Sequence, residues 1–130
     1  RRQRQMCIRD RAKTTNTTPI IWGDGTARRE FMYAEDLADF ICWSLENYNS
    51  LENYTNVGVG EDFSILEYYK EIAKVVGYKG PFEFDLDKPT GMRRKLCSIE
   101  KQNKLGWEPK HSLQQGLKKT HEFYLENYAI

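Results

Sequence analysis

The sequence predicts an α/β fold with an incomplete sheet, and three observations predict it. Short apolar runs alternate with amphipathic helical stretches in the order ββ-αβ-αβ-α-α. Two of the helices open on a Ser-x-x-Glu/Gln capping signal. The 130 residues suffice for one modest core but not for a two-domain enzyme.

Pro19-Ile20-Ile21-Trp22 is a short apolar run stopped by the turn signal Gly23-Asp24-Gly25. Glu30-Phe31-Met32-Tyr33 reads as a second strand, so the pair suggests a hairpin. From Glu35 to about Tyr48, Leu37, Phe40, Ile41, Leu45 and Tyr48 share one helical face. Glu35 and Asp36 lie in its first turn, where the helix dipole favours acids. Tyr54 to Val59 reads as a strand interior to a parallel sheet, with neighbours that this chain does not supply. Ser64-Ile65-Leu66-Glu67 opens a helix expected to bury Ile65, Tyr69, Ile72, Ala73 and Val76 and to stop at Gly77. Phe82-Glu83-Phe84 alternates like a half-exposed strand. Ser98 is expected to cap a short helix through Leu105, ended by Gly106. Ser112-Leu113-Gln114-Gln115 opens the last helix, to about Tyr128.

Charge is unevenly spread. The first thirteen residues hold Arg1, Arg2, Arg4, Arg9, Arg11 and Lys13 against Asp10; without them the net charge falls from +1 to −4. This segment has neither an apolar core nor an amphipathic period, which excludes a targeting peptide and gives no support to nucleic-acid binding. Met6-Cys7-Ile8-Arg9-Asp10-Arg11 resembles the in-frame translation of a sequencing-library transposon adapter. Residues 1–13 are therefore expected to be a non-native leader, and residues 14–130 the functional portion. No apolar run approaches the roughly 20 residues of a membrane span. Cys7, Cys42 and Cys97 lack ligand spacing and read as reduced structural thiols. Neither His111 nor His121 sits in a metal motif, so no metal is expected.

No glycine-rich turn of the GxGxxG type follows a strand, so no dinucleotide site is expected in this chain. No Tyr-x-x-x-Lys pair is present either; Tyr69-Lys70-Glu71-Ile72-Ala73 ends in alanine. No catalytic residue is therefore assigned. What remains is two basic clusters, Trp22-Gly-Asp-Gly-Thr-Ala-Arg-Arg-Glu-Phe31 and Lys88-Pro-Thr-Gly-Met-Arg-Arg-Lys95. Guanidinium groups at the end of a Gly- or Pro-fixed loop suit bidentate phosphate contacts, and a neighbouring tryptophan can cover a base or sugar. On composition alone, a solvated basic loop with Trp22 in the core is the favoured reading.

The order and spacing of several motifs carry a resemblance. Arg29-Glu-Phe31 leading into Glu35-Asp-Leu-Ala38, Asn56-Val-Gly58 and Leu105-Gly-Trp-x-Pro109 resemble the extended short-chain dehydrogenase/reductases that act on nucleotide sugars. Trp22-Gly-x-Gly-Thr26, Ile72-Ala-Lys-Val-Val-Gly-Tyr-Lys-Gly80 and Lys88-Pro-x-Gly-x-x-Arg-Lys95 are similar to the GDP-L-fucose synthase family within them. The resemblance runs from about Thr14 to the end. It implies the C-terminal, substrate-binding part of a Rossmann-like fold, with the catalytic and cofactor-binding residues upstream.

That family epimerises GDP-4-keto-6-deoxy-D-mannose at C3 and C5 and reduces its C4 ketone with NADPH. The resemblance places Trp22 and Arg29 at the substrate-binding tryptophan and arginine, Lys95 at a lysine near the nucleotide phosphates, and Arg94 beside it. Thr90 stands where the family often has an acid, a contact weaker by about 1 kcal/mol. The implied partners are a GDP-sugar, no nucleic acid, no membrane, and a second copy in a full-length homodimer; the implied cofactor of the full-length enzyme is NADP(H), and the location cytoplasmic. By itself this portion is expected to be inactive. Another nucleotide-sugar epimerase or dehydratase, or a binding module without turnover, are the alternatives.

Overall fold

The structure, a computed structural model, describes residues 18–128, so the expected leader lies outside it. Among the described residues, strands β1 (Ile20–Trp22), β2 (Arg28–Arg29), β3 (Phe63–Ser64), β4 (Glu83–Asp85) and β5 (Arg94–Lys95) are interspersed with four α-helices and a 3-10 turn at Tyr48–Ser50. The α-helices are α1 (Ala34–Glu46), α2 (Ile65–Val76), α3 (Glu100–Leu105) and α4 (Leu113–Tyr128). The chain divides into two compact units. One takes in Ser64–Arg93 with the described residues up to Ala27; the other takes in Arg28–Phe63 with the described residues from Arg94 onward.

In the first unit, β1 pairs in parallel with β4, Ile20 opposite Glu83 and Trp22 opposite Asp85. The ladder continues into the turn, where Gly23 N–H donates to the Asp85 carbonyl at 2.8 Å. Helix α2 opens as its sequence dictates. Ser64 Oγ accepts from Glu67 N–H at 3.2 Å, and Ser64 N–H donates back to Glu67 Oε2 at 2.6 Å. Two more of its first-turn amides donate to the turn after β1, Ile65 N–H to Ala27 and Leu66 N–H to Gly25. Gly77 closes it in the left-handed conformation. The buried face differs from the expected one. Tyr68 and Ala73 are buried, whereas Ile65, Tyr69, Ile72 and Val76 are half-buried.

The expected hairpin does not form. β2 lies at Arg28–Arg29, earlier than the expected Glu30–Tyr33, and pairs in parallel with β5. β1 and β2 thus belong to different sheets. Hairpins join antiparallel strands, and each of these strands finds a parallel partner late in the chain.

In the second unit, α1 covers most of the span expected, but its buried residues are Asp36 and Phe40. Leu37, Ile41, Leu45 and Tyr48, expected inside, are exposed, Leu45 at 74 %. Phe40 meets Trp107 edge-on at 5.0 Å, and Trp107 Nε1–H donates to Asp39 at 2.9 Å. Asp36, 1 % exposed, does more than face a helix dipole: it accepts from the N–H groups of Lys110 and His111 and contacts His111 Nδ1 at 2.8 Å. This ties α1 to the segment before α4. There, Ser112 N–H donates to Gln115 Oε1 at 2.9 Å and Gln115 N–H donates to Ser112 Oγ, the second expected capping box.

Two further expectations are corrected. Helix α3 begins at Glu100 after Ile99, which offers no side-chain cap, so Ser98 is not its cap; Gly106 ends it as expected. Residues 54–59 form no strand, because no neighbouring strand among the described residues offers a ladder. Cys42 and Cys97 are free and exposed rather than packed. No helix among the described residues is long and apolar enough to cross a membrane.

Candidate functional site

Trp22 and Thr90 fall in the first unit. Along the run from Ile21 to Ala27 burial alternates strictly, with Ile21, Gly23, Gly25 and Ala27 inside. Trp22 is therefore directed outward and is 47 % exposed, which removes it from the core. The turn after it is built by Gly23 and Gly25, with φ of 72° and 74°. Asp24 braces it by accepting from Thr26 N–H and Thr26 Oγ1 at 2.9 and 2.8 Å. Those bonds hold the Asp24 carboxyl below its ordinary value. Thr90 packs onto this turn so closely that a Cβ on Gly23 would lie 2.2 Å from its methyl carbon. The two loops singled out by the sequence thus meet at Gly23 and Thr90.

Arg29, Arg94 and Lys95 fall in the second unit. The parallel register sets Arg28 opposite Arg94 and Arg29 opposite Lys95. Successive strand residues point to opposite faces, so Arg29 and Lys95 share one face while Arg28 and Arg94 share the other. On the Arg28–Arg94 face both guanidiniums converge on Asp62, whose side chain is 3 % exposed. Arg28 Nε donates to Asp62 Oδ1 at 2.9 Å and its Nη2 to the Asp62 carbonyl. Arg94 Nε donates to Asp62 Oδ2 at 2.5 Å. The Arg94 bond, with help from Arg28 and against the burial, holds the Asp62 carboxyl below the usual range. Asp62 in turn raises the Arg94 guanidinium. On the other face, Arg29 Nη1 donates to the Arg28 carbonyl at 2.6 Å. Lys95 is exposed and has no side-chain partner among the described residues.

A second carboxylate shapes the surroundings. Glu30 Oε1 accepts from Val59 N–H and Gly60 N–H, each at 2.7 Å, and Oε2 accepts from Cys97 N–H at 3.1 Å. It ties the residue after β2 to the residue two beyond β5. Asp62 carries no sequence signal of its own, and nothing in the motifs that contain Arg28, Glu30 and Arg94 shows that Arg28 and Arg94 converge on it. Asp62 lies 34 residues from Arg28 and 32 from Arg94, and only the parallel pairing brings the three together. Among the described residues no group of His, Cys, Asp and Glu is placed to hold a metal. Two surface hollows, one beside Lys70 and Tyr78 and one beside Trp43 and Trp107, include none of the five expected site residues.

Comparison with known proteins points the same way as the motifs. Residues 4–60 match the model of the NAD dependent epimerase/dehydratase family. The chain is 53 % identical over 105 residues to a GDP-L-colitose synthase of Yersinia pseudotuberculosis, matching 81 % of this chain and 34 % of that protein. It is 50 % identical over 110 residues to a GDP-L-fucose synthase of Azorhizobium caulinodans, matching 85 % of this chain and 35 % of that one. A crystal structure of a GDP-L-fucose synthetase from Naegleria fowleri bound to NADP superposes with a TM-score of 0.83 at 26 % identity, covering 92 % of this chain and 38 % of that one. The chain therefore spans about a third of the length of the curated relatives it matches. The resemblance to GDP-L-fucose synthases is borne out, and so is the fold class: a part of a Rossmann-like, extended short-chain dehydrogenase/reductase fold.

Proposed function

We propose that this chain is the C-terminal, nucleotide-sugar-binding portion of an NADP-dependent enzyme that converts GDP-4-keto-6-deoxy-D-mannose to GDP-L-fucose. The observation that carries the reading is the register of β2 on β5, which sets Arg29 beside Lys95 on one face. Two cations side by side match the two charges of a diphosphate, the arginine by a fork and the lysine as a point charge. The resemblance, rather than any geometry, assigns Trp22 to the base or sugar and the Thr90 hydroxyl to a sugar hydroxyl. Arg94, on the reverse face, reaches the ligand less directly than Lys95. The residues that relay the proton and hold NADPH belong to the remaining length of the relatives. The whole protein is a cytoplasmic homodimer in this reading.

The test is a fusion of residues 14–130 to the preceding two thirds of the Azorhizobium caulinodans relative. NADPH-dependent formation of GDP-L-fucose is the expected result. A folded fusion that binds NADPH but turns over only UDP-sugars, or no sugar nucleotide, overturns the reading. The 53 % identity to a GDP-L-colitose synthase favours a second reading, and product identification separates GDP-L-colitose from GDP-L-fucose.

A further inference from the structure

We infer that Asp62 is a positioning residue for the phosphate-facing pair: by clamping Arg28 and Arg94 on one face of β2 and β5, it fixes the register that sets Arg29 beside Lys95 on the other. The inference rests on the reading of Arg29 and Lys95 as ligand contacts.

The argument starts from the length of the strands. β2 and β5 are two residues each, so the ladder between them has few bonds. A ladder that short resists a slip only weakly, and the Glu30–Cys97 bond holds the two segments from beyond the strand ends rather than within the ladder. A slip of one residue exchanges the faces of every side chain. A slipped β5 would turn Lys95 to the reverse face and bring Arg94 round in its place. Asp62 opposes this by holding the reverse face at both strands at once, through Arg28 Nε at 2.9 Å and Arg94 Nε at 2.5 Å. The second bond from Arg28, to the Asp62 carbonyl, fixes the clamp to the backbone before β3 as well. The carboxylate is buried while the guanidiniums are partly open. Breaking the clamp strands a buried charge, so the arrangement is held from the Asp62 side.

Charge and position make opposite predictions for one substitution. Asp62→Asn removes a negative charge from the neighbourhood of an anionic ligand, and Coulomb attraction alone then tightens binding. If Arg94 contacted the phosphates directly, Asp62 would be its competitor, and freeing Arg94 would tighten binding too. A positioning role predicts the reverse.

The experiment is calorimetric titration of the chain with GDP, beside thermal unfolding followed by circular dichroism. Wild-type chain is expected to bind GDP, and Asp62→Asn to bind it about fivefold more weakly. Arg28→Lys keeps every charge but loses the fork, and is expected to weaken GDP by a smaller factor in the same direction. An Asp62 that is merely structural lowers the unfolding midpoint and leaves the affinity of the folded fraction unmoved. Unchanged or tighter GDP binding by Asp62→Asn overturns the inference while the functional reading stands. If Asp62→Asn does not fold, Arg28→Lys decides, and unchanged affinity there overturns it. If the wild-type chain alone binds no GDP, the same titrations are made on the fusion, and absence of GDP binding there overturns the reading and the inference together.

Discussion

The side chain of Gln102 forms with Gly58 the two hydrogen bonds that a neighbouring strand would form. Gly58 N–H donates to Gln102 Oε1 at 2.9 Å, and Gln102 Nε2 donates to the Gly58 carbonyl at 3.1 Å, with Gln102 fully buried. A residue of α3 thereby satisfies the backbone of a segment that lacks a ladder. Gln102→Leu keeps the volume and leaves both Gly58 groups unpaired. A loss of about 1–3 kcal/mol is expected, read as a lower urea midpoint and faster hydrogen exchange at the Gly58 amide. An unchanged exchange rate would show that another group or water serves Gly58.

Gly23 meets two constraints at once, a left-handed backbone and the methyl of Thr90. Gly23→Ala is expected to cost about 1–2 kcal/mol from the backbone alone, with the steric clash added to it. Adding Thr90→Ser removes the methyl and should restore the clash part only. A double variant no more stable than Gly23→Ala would mean that the Thr90 loop moves aside freely.

The carboxyls of Asp62, Asp39 and Glu35 all titrate below their ordinary values in the folded chain. The hydrogen bonds that hold them down most are those from Arg94, Lys110 and Lys119 respectively. Each group is lowered on folding, so the unfolded chain binds protons first as the pH falls. Their stabilisation is full above the ordinary carboxylate range and is lost as the pH drops through the lowered values. The urea midpoint should therefore decline below about pH 4. Asp62→Asn should flatten that decline, and an equally steep one would exclude Asp62 from the acid response.

Arg29 is the residue whose loss should separate the two ligands of the completed enzyme. Arg29→Ala in the fusion is expected to raise the KM for the GDP-sugar about tenfold or more, with NADPH affinity nearly unchanged. Equal losses for both ligands would make Arg29 structural.

Signals confined to a few consecutive residues were legible in the sequence. The Ser64…Glu67 and Ser112…Gln115 boxes and the stops at Gly77 and Gly106 each depend on neighbours within a turn, and each occurs as read. Helix faces were read less well. Along α1 the apolar period selects Leu37, Phe40, Ile41 and Leu45, and of these Phe40 is buried as expected. The other buried residue is Asp36, and the partners of the two, Trp107 and His111, lie far along the chain. The hairpin was misread for the same reason, since the partners of β1 and β2 could not be known from the residues between them. At the candidate site, the motifs marked Arg94 and Lys95 as neighbours. Only the register reveals that they face opposite ways and that Asp62 stands behind one of them.

The parallel pairing also governs the order in which the structure can assemble. β1 and β2 leave the ribosome before α1 and α2, and their partners β4 and β5 follow only after both helices have been made. No turn can zip either pair, so each must close a long loop before its first cross-strand bond rewards the search. The helices, capped locally, can form as they emerge. The face carrying Arg29 and Lys95 thereby exists only once both strands have been made, and a stalled or clipped nascent chain ending before Arg94 would carry half a binding face.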